Sequence, residues 1–142
     1  MSQNEIKSIL EKYRTVAVVG LSRDPAKASH RVAQYLQSVG YRIIPVNPFV
    51  DEILGETSYK SLLDVTETID IVDIFRPSEA VPAIVDEAIK LKNRVGSPKV
   101  IWMQLGIVNE EATRRAEEAG FTVVMDKCRM IEHKRLRMEG AP

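Results

Sequence analysis

Apolar residues along this chain fall into two patterns that take turns, and they predict helix and strand in alternation. Over Glu5–Tyr13, Ile6, Ile9, Leu10 and Tyr13 recur at helical spacing and form one apolar face. Thr15–Val19 is instead an almost continuous apolar, β-branched run, the mark of a strand buried on both faces. Helical spacing returns from about Ser29 to Val39 and stops at Gly40, a residue suited to follow a helix end; Asp24-Pro25 offers an earlier cap and first-turn proline. Further short strands are expected at Arg42–Val46, Ile69–Phe75, Val100–Gln104 and Phe121–Met125. Asn47–Asp51 reads as a loop by its proline, and Gly55–Leu63 as a turn with room for one short helix. Ser78 is expected to cap a long helix with Val81, Ile84, Val85, Ala88 and Ile89 inward, which Gly96-Ser97-Pro98 breaks. Asn109 caps the next helix, Glu110 and Glu111 suit its positive end, and Gly120 closes it. A last helix is expected from about Arg129 to Arg137.

Five strands alternating with helices imply an α/β fold, a Rossmann-like doubly wound parallel five-stranded sheet with helices on both faces. The expected strand order is 3-2-1-4-5. At 142 residues the chain fits one domain, 1–142, with an N-terminal helix in residues 1–14 and a tail over 138–142. Ligands of such sheets sit outside the carboxyl ends of the strands, at the point where strand order reverses, expected here between strands one and four.

Composition narrows the partners. Twenty basic residues balance 20 acidic ones, which argues against a generic nucleic-acid or membrane binder and confines any anion site to a local patch. The single cysteine, Cys128, excludes an intrachain disulfide and suits a reducing, cytoplasmic setting. The opening Met-Ser-Gln-Asn-Glu lacks the pattern of a signal peptide, and no apolar run reaches the length of a membrane span. Homo-oligomerisation is left open.

The strand ends carry the candidate chemistry. Strand one ends in Gly20, Leu21, Ser22 and Arg23, and the loop continues with Lys27, Ser29, His30 and Arg31 before a helix. A glycine turn ahead of a helix start is built to meet an anion, since the first helical N–H groups are unpaired. Of the three glycines of the dinucleotide fingerprint only Gly20 is present, so side chains are expected to help reach phosphate, against the blander reading of a solvated basic loop. Strand two ends in Val46, Asn47 and Pro48, where an NAD-binding domain usually places an acid for the ribose hydroxyls. A neutral Asn would tolerate a phosphate on that ribose. Strand three ends in Phe75 and Arg76; the guanidinium is a candidate phosphate contact, and Phe75 reads more readily as core. Asp73 reads as a structural, hydrogen-bonded group. A phosphoacceptor role would need an acidic pair after strand one, which Val19-Gly20-Leu21 does not supply. Strand four ends in Gln104 and, two residues on, Gly106, offering a donor, an acceptor and close approach. Cys128 follows strand five at the same edge and is a candidate contact for a ligand thiol, although a lone cysteine is more often a packing residue. No catalytic constellation and no metal-ligand spacing emerges: Cys128, His30 and His133 are too scattered.

Six stretches in order resemble the small single-domain CoA-binding proteins, whose fold is like the N-terminal domain of the succinyl-CoA synthetase α subunit. They are Val-Ala-Val-Val-Gly-Leu-Ser (16–22), Ser29-His30-Arg31, Gly-Tyr-Arg-Ile-Ile-Pro-Val-Asn-Pro (40–48), Ile-Asp-Ile-Val-Asp-Ile-Phe-Arg (69–76), Trp-Met-Gln-Leu-Gly (102–106) and Met-Asp-Lys-Cys-Arg-Met-Ile-Glu-His (125–133). The resemblance implies coenzyme A or acyl-CoA as ligand, with its phosphates at the strand-one loop, its adenine end at Val46-Asn47-Pro48 and Phe75-Arg76 bordering the nucleotide. The synthetase's phosphorylated histidine has no matching context here, so the implied role is storage, sensing or regulation with no catalysis of its own. An NAD(P)-binding oxidoreductase-type domain and an interaction module with a vestigial cleft are the alternatives.

Overall fold

Five parallel strands form the centre of the computed structural model, which describes residues 1–138. The strands are β1 (Thr15–Val19), β2 (Arg42–Val46), β5 (Ile71–Ile74), β6 (Val100–Met103) and β7 (Thr122–Val124), and a two-stranded hairpin of β3 (Glu52–Ile53) and β4 (Glu56–Thr57) follows β2. The helices are α1 (Gln3–Lys12), α2 (Ala28–Ser38), α3 (Val81–Val95), α4 (Glu110–Glu118) and α5 (Arg129–Met138). Strand positions thus fall where the apolar runs place them. The tail expected over 138–142 lies outside the described residues apart from Met138, which ends α5.

The continuous apolar runs are explained by burial on two faces. Val16, Val18, Ile43, Ile71 and Trp102 point into a core shared with α1, α2 and α5. Ala17, Ile44, Val72, Ile74, Ile101 and Met103 point the other way, into a core shared with α3 and α4. A strand with both faces covered has no polar side to show in its pattern.

The sheet runs β2-β1-β5-β6-β7. Beyond β2, Tyr59 forms a single parallel bridge to Val46, with Tyr59 N–H donating to the Pro45 carbonyl at 3.0 Å and Asn47 N–H to the Tyr59 carbonyl at 2.9 Å. Counted with this remnant in third place, the arrangement is the Rossmann-like 3-2-1-4-5 pattern. The strand holding the third place is not Ile69–Phe75, however. That strand, β5, lies beside β1, with Val16 opposite Ile71 and Val19 opposite Ile74. Its four residues are all buried, and it has a paired neighbour on each side, β1 and β6. The outer place beside β2 goes to a polar segment that one bridge suffices to hold. Strand order therefore reverses between β1 and β5, and the ends of these two strands meet where a ligand is expected.

Two helix starts differ from expectation. Asp24 does not open α2; its Oδ1 accepts the Ala26 N–H at 2.9 Å in a separate turn. Ser78 does not cap α3, which begins at Val81 after a 3-10 turn over Ser78–Ala80. Its hydroxyl accepts the Val108 N–H at 3.0 Å instead, tying two strand-end loops together. Asn109 does cap α4, accepting the Ala112 N–H at 2.9 Å.

The last helix is held to the core through polar groups. Tyr35 Oη of α2 lies 2.7 Å from His133 Nδ1 of α5, and the Tyr35 and Tyr41 rings meet the imidazole edge-on. Burial, reinforced by the nearby Arg137, Arg14 and Arg129 charges, holds His133 below its ordinary value of 6.5. The unfolded chain therefore binds this proton more readily, and stability falls as pH drops through that value. Melting curves between pH 7.5 and about 5 are expected to show the decline, with a shallower slope for His133→Phe. Equal slopes would remove His133 as its source.

Candidate functional site

A cavity of about 330 Å³ opens at the carboxyl edge of the sheet, between the ends of β1 and β2, the segment 60–62 and the start of α3. Gly20 is part of its lining. The φ of Gly20 is +88°, and a Cβ there would lie 2.6 Å from the Phe75 carbonyl oxygen and 2.9 Å from Arg76 Cδ. Its N–H donates to the Val46 carbonyl at 3.0 Å. Only a residue without a side chain lets the β1 turn pass this close to the end of β5.

Asn47 closes the β2 end with both halves of its amide. Nδ2 donates to the Leu21 carbonyl at 3.0 Å, and Oδ1 accepts the Phe49 N–H at 2.8 Å. Pro48 and Phe49 form the rim, and the Phe49 ring is 89% exposed there, an aromatic face open to stacking. Arg76 lies against Gly20, and Lys60 faces the same space from beyond β2. Among the described residues neither cation is in an ion pair. Val19, Val46, Leu62 and Ile84 supply apolar wall, and Ser61 and Glu87 a polar one.

Of the residues singled out in the sequence, the cavity gathers Gly20, Ser22, Val46, Asn47, Pro48 and Arg76. The strand-one loop turns out to be occupied with itself. Ser29 Oγ accepts the Ser22 N–H at 2.9 Å, and the His30 Nδ1–H donates to the Ser22 carbonyl at 2.9 Å; both side chains are buried. Arg31 Nη1 donates to the Ala26 carbonyl at 2.5 Å, while Arg23 and Lys27 are exposed, and none of the three borders the cavity. Leu21 is fully buried on the α2 side of the sheet. The Phe75 ring packs on that side too, and only its carbonyl reaches Gly20.

Gln104, Gly106 and Cys128 gather further along the edge. Gln104 Oε1 accepts the Arg129 N–H at 3.1 Å, and the Gly106 N–H donates to Asp126 Oδ1 at 2.7 Å. Cys128 is half-buried against the core under α5, away from the cavity. Asp73 pairs with Arg129 inside the protein, as its structural reading requires.

Lys60, Phe49 and Glu87 were not found by reading strand ends. Lys60 and Glu87 come from a connection and a helix whose facing side only the tertiary structure sets. Phe49 directly follows Asn47-Pro48 and carried a signal in the sequence: an aromatic beside a turn at the expected ligand edge. Among the described residues, no group of three or more His, Cys, Asp or Glu converges on a metal position, and no helix is long and apolar enough to cross a membrane.

Known proteins are similar to this chain in sequence and fold. The family model of the CoA binding domain matches residues 14–134. An uncharacterised protein, YneT, of Bacillus subtilis is 44% identical over 132 residues, 93% of this chain and 94% of that one. A hypothetical protein from Pyrococcus horikoshii superposes with a TM-score of 0.90 at 37% identity, covering 96% of this chain and 93% of the other. An ADP-forming acetate–CoA ligase of Methanocaldococcus jannaschii is 36% identical over 74 residues, which are 52% of this chain and 10% of the ligase. With the family match running from before β1 into α5, the chain belongs to the CoA-binding domain family.

Proposed function

We propose that the protein binds coenzyme A or acyl-CoA at the carboxyl edge of its sheet, in a storage, sensing or regulatory role and without catalysis of its own. The observation that carries the reading is the cavity at the carboxyl edge, beside the β1–β5 reversal, where Arg76 and Lys60, in no ion pair among the described residues, border the glycine turn that ends β1. The start of α2 supports it. Its cap residue, Lys27, makes no side-chain hydrogen bond to the first turn, which leaves N–H groups near Ser22 for an anion. Pockets for whole drug-sized ligands span roughly 300–1,000 Å³. This one suits the nucleoside end, with pantetheine continuing along the edge past Gln104 and Gly106.

Selectivity follows from charge. The β2 end presents no carboxylate, so a ribose phosphate is not repelled there, and with Arg23, Lys27 and Arg31 turned away its partner is Lys60 or Arg76. Each charge-assisted contact is worth about 1.5–3 kcal/mol. Calorimetry is expected to rank CoA above dephospho-CoA and both above NAD. Equal affinity for CoA and NAD would overturn the reading. Arg76→Ala is expected to weaken CoA binding about 10- to 100-fold with a nearly unchanged melting temperature, because an exposed arginine without an ion pair contributes little to folding. A fall in melting temperature with intact affinity would make Arg76 a structural residue.

A further inference from the structure

Among the described residues Glu87 is the one acidic side chain bordering the cavity, and a carboxylate is out of place in a phosphate site. It lies on α3 one turn after Ile84, so both face the same space. Around it the wall is apolar: Val46, Leu62 and Ile84 are all buried. The carboxylate is also oriented. Ser61 Oγ accepts the Leu63 N–H at 3.1 Å and donates its own proton to Glu87 Oε1 at 2.6 Å. The second oxygen, Oε2, has no protein hydrogen-bond partner among the described residues. An ionised carboxylate only accepts. The cavity therefore has cationic groups, Arg76 and Lys60, and a fixed acceptor set among apolar side chains.

We propose that Glu87 selects the base of the bound nucleotide, accepting a hydrogen bond from the exocyclic 6-amino group of adenine. The inference rests on the CoA reading and adds to it a residue that discriminates among purines. A flat ring fits between the apolar walls, with its phosphates toward Arg76. A 6-amino purine then turns an N–H toward Glu87. At that position a 6-oxo purine places its carbonyl oxygen, so two acceptors face each other, and only a shift of the ring brings its N1–H to the carboxylate instead. Ser61 is a positioning residue that holds the carboxylate in place.

The test compares CoA with desamino-CoA, in which an oxo group replaces the 6-amino group, by calorimetry on the wild type, Glu87→Gln and Glu87→Ala. The wild type is expected to prefer CoA by about 10- to 100-fold, the range of one mispaired polar contact. In Glu87→Gln the Ser61 hydroxyl still donates to the amide oxygen, which turns the NH₂ toward the base, and the preference is expected to invert. In Glu87→Ala it is expected to vanish, with both ligands still bound. Wild-type protein that binds both ligands equally, or a Glu87→Gln variant that weakens both by the same factor as a ribose contact would, overturns the inference and leaves the CoA reading standing. Wild-type protein that binds neither ligand overturns both.

Discussion

Gly20→Ala is expected to lose about 2–4 kcal/mol of stability and most of its affinity for CoA. Two costs combine. The residue must adopt a φ of +88°, and its new methyl must sit 2.6 Å from the Phe75 carbonyl oxygen. That oxygen is backbone and cannot swing aside. The Phe75 N–H donates to the Val19 carbonyl at 2.9 Å, so relief requires the ends of β1 and β5 to part where the ligand would lie. Gly40→Ala is the control, because Gly40 has a φ of +99° with nothing within 4 Å of the added Cβ. It carries the backbone cost alone, about 1 kcal/mol. Urea unfolding of the two variants separates the terms. A Gly20→Ala midpoint no lower than that of Gly40→Ala would show that the close approach costs nothing.

The same close approach shows what could and could not be read from the chain. Strand positions were legible because an apolar run without alternation needs two covered faces, and β1 and β2 keep their expected limits. Which strand lies beside which was not, for the same reason: a strand buried on both faces carries no pattern that names its neighbour. The apolar run Ile69–Phe75 fits a place beyond strand two as well as one beside strand one, and the polar segment around Tyr59 takes the outer side. The strand ends Gly20, Asn47 and Arg76 were legible as cavity residues because parallel sheets present ligands at one edge. The cations after Gly20 do not border the cavity. Arg23, Lys27 and Arg31 are close to it in sequence, but Ser22, Ser29 and His30 spend their polar groups folding the loop on itself. Lys60 reaches the cavity from a connection of hairpin and turn, whose course depends on packing.

Arg129→Met is expected to cost about 3–5 kcal/mol, the largest loss from any single substitution considered. Arg129 and Asp73 are both fully buried. Arg129 Nε donates to Asp73 Oδ1 and Oδ2 at 3.1 and 2.9 Å, and Nη2 to Oδ1 at 2.8 Å, while the guanidinium lies 4.4 Å from the Trp102 ring centroid. The pair joins the first turn of α5 to the middle of the sheet. Burial pushes the Asp73 carboxyl above its ordinary 3.8, and the adjacent guanidinium opposes that rise. Without Arg129 only the burial remains, so the carboxyl of the variant rises further and takes up a proton on folding. An acid raised in the folded state keeps its full stability below its unfolded value and loses it as pH climbs toward the folded one. The deficit of Arg129→Met relative to wild type is thus expected to be greater at pH 7 than at pH 4. Adding Asp73→Leu removes the stranded charge, and the double variant is expected to regain most of the loss, since a buried pair replaced by packed apolar groups is often neutral. A single-variant deficit independent of pH, or a double variant no better than the single, would show that α5 is held by packing around Trp102 and not by the pair.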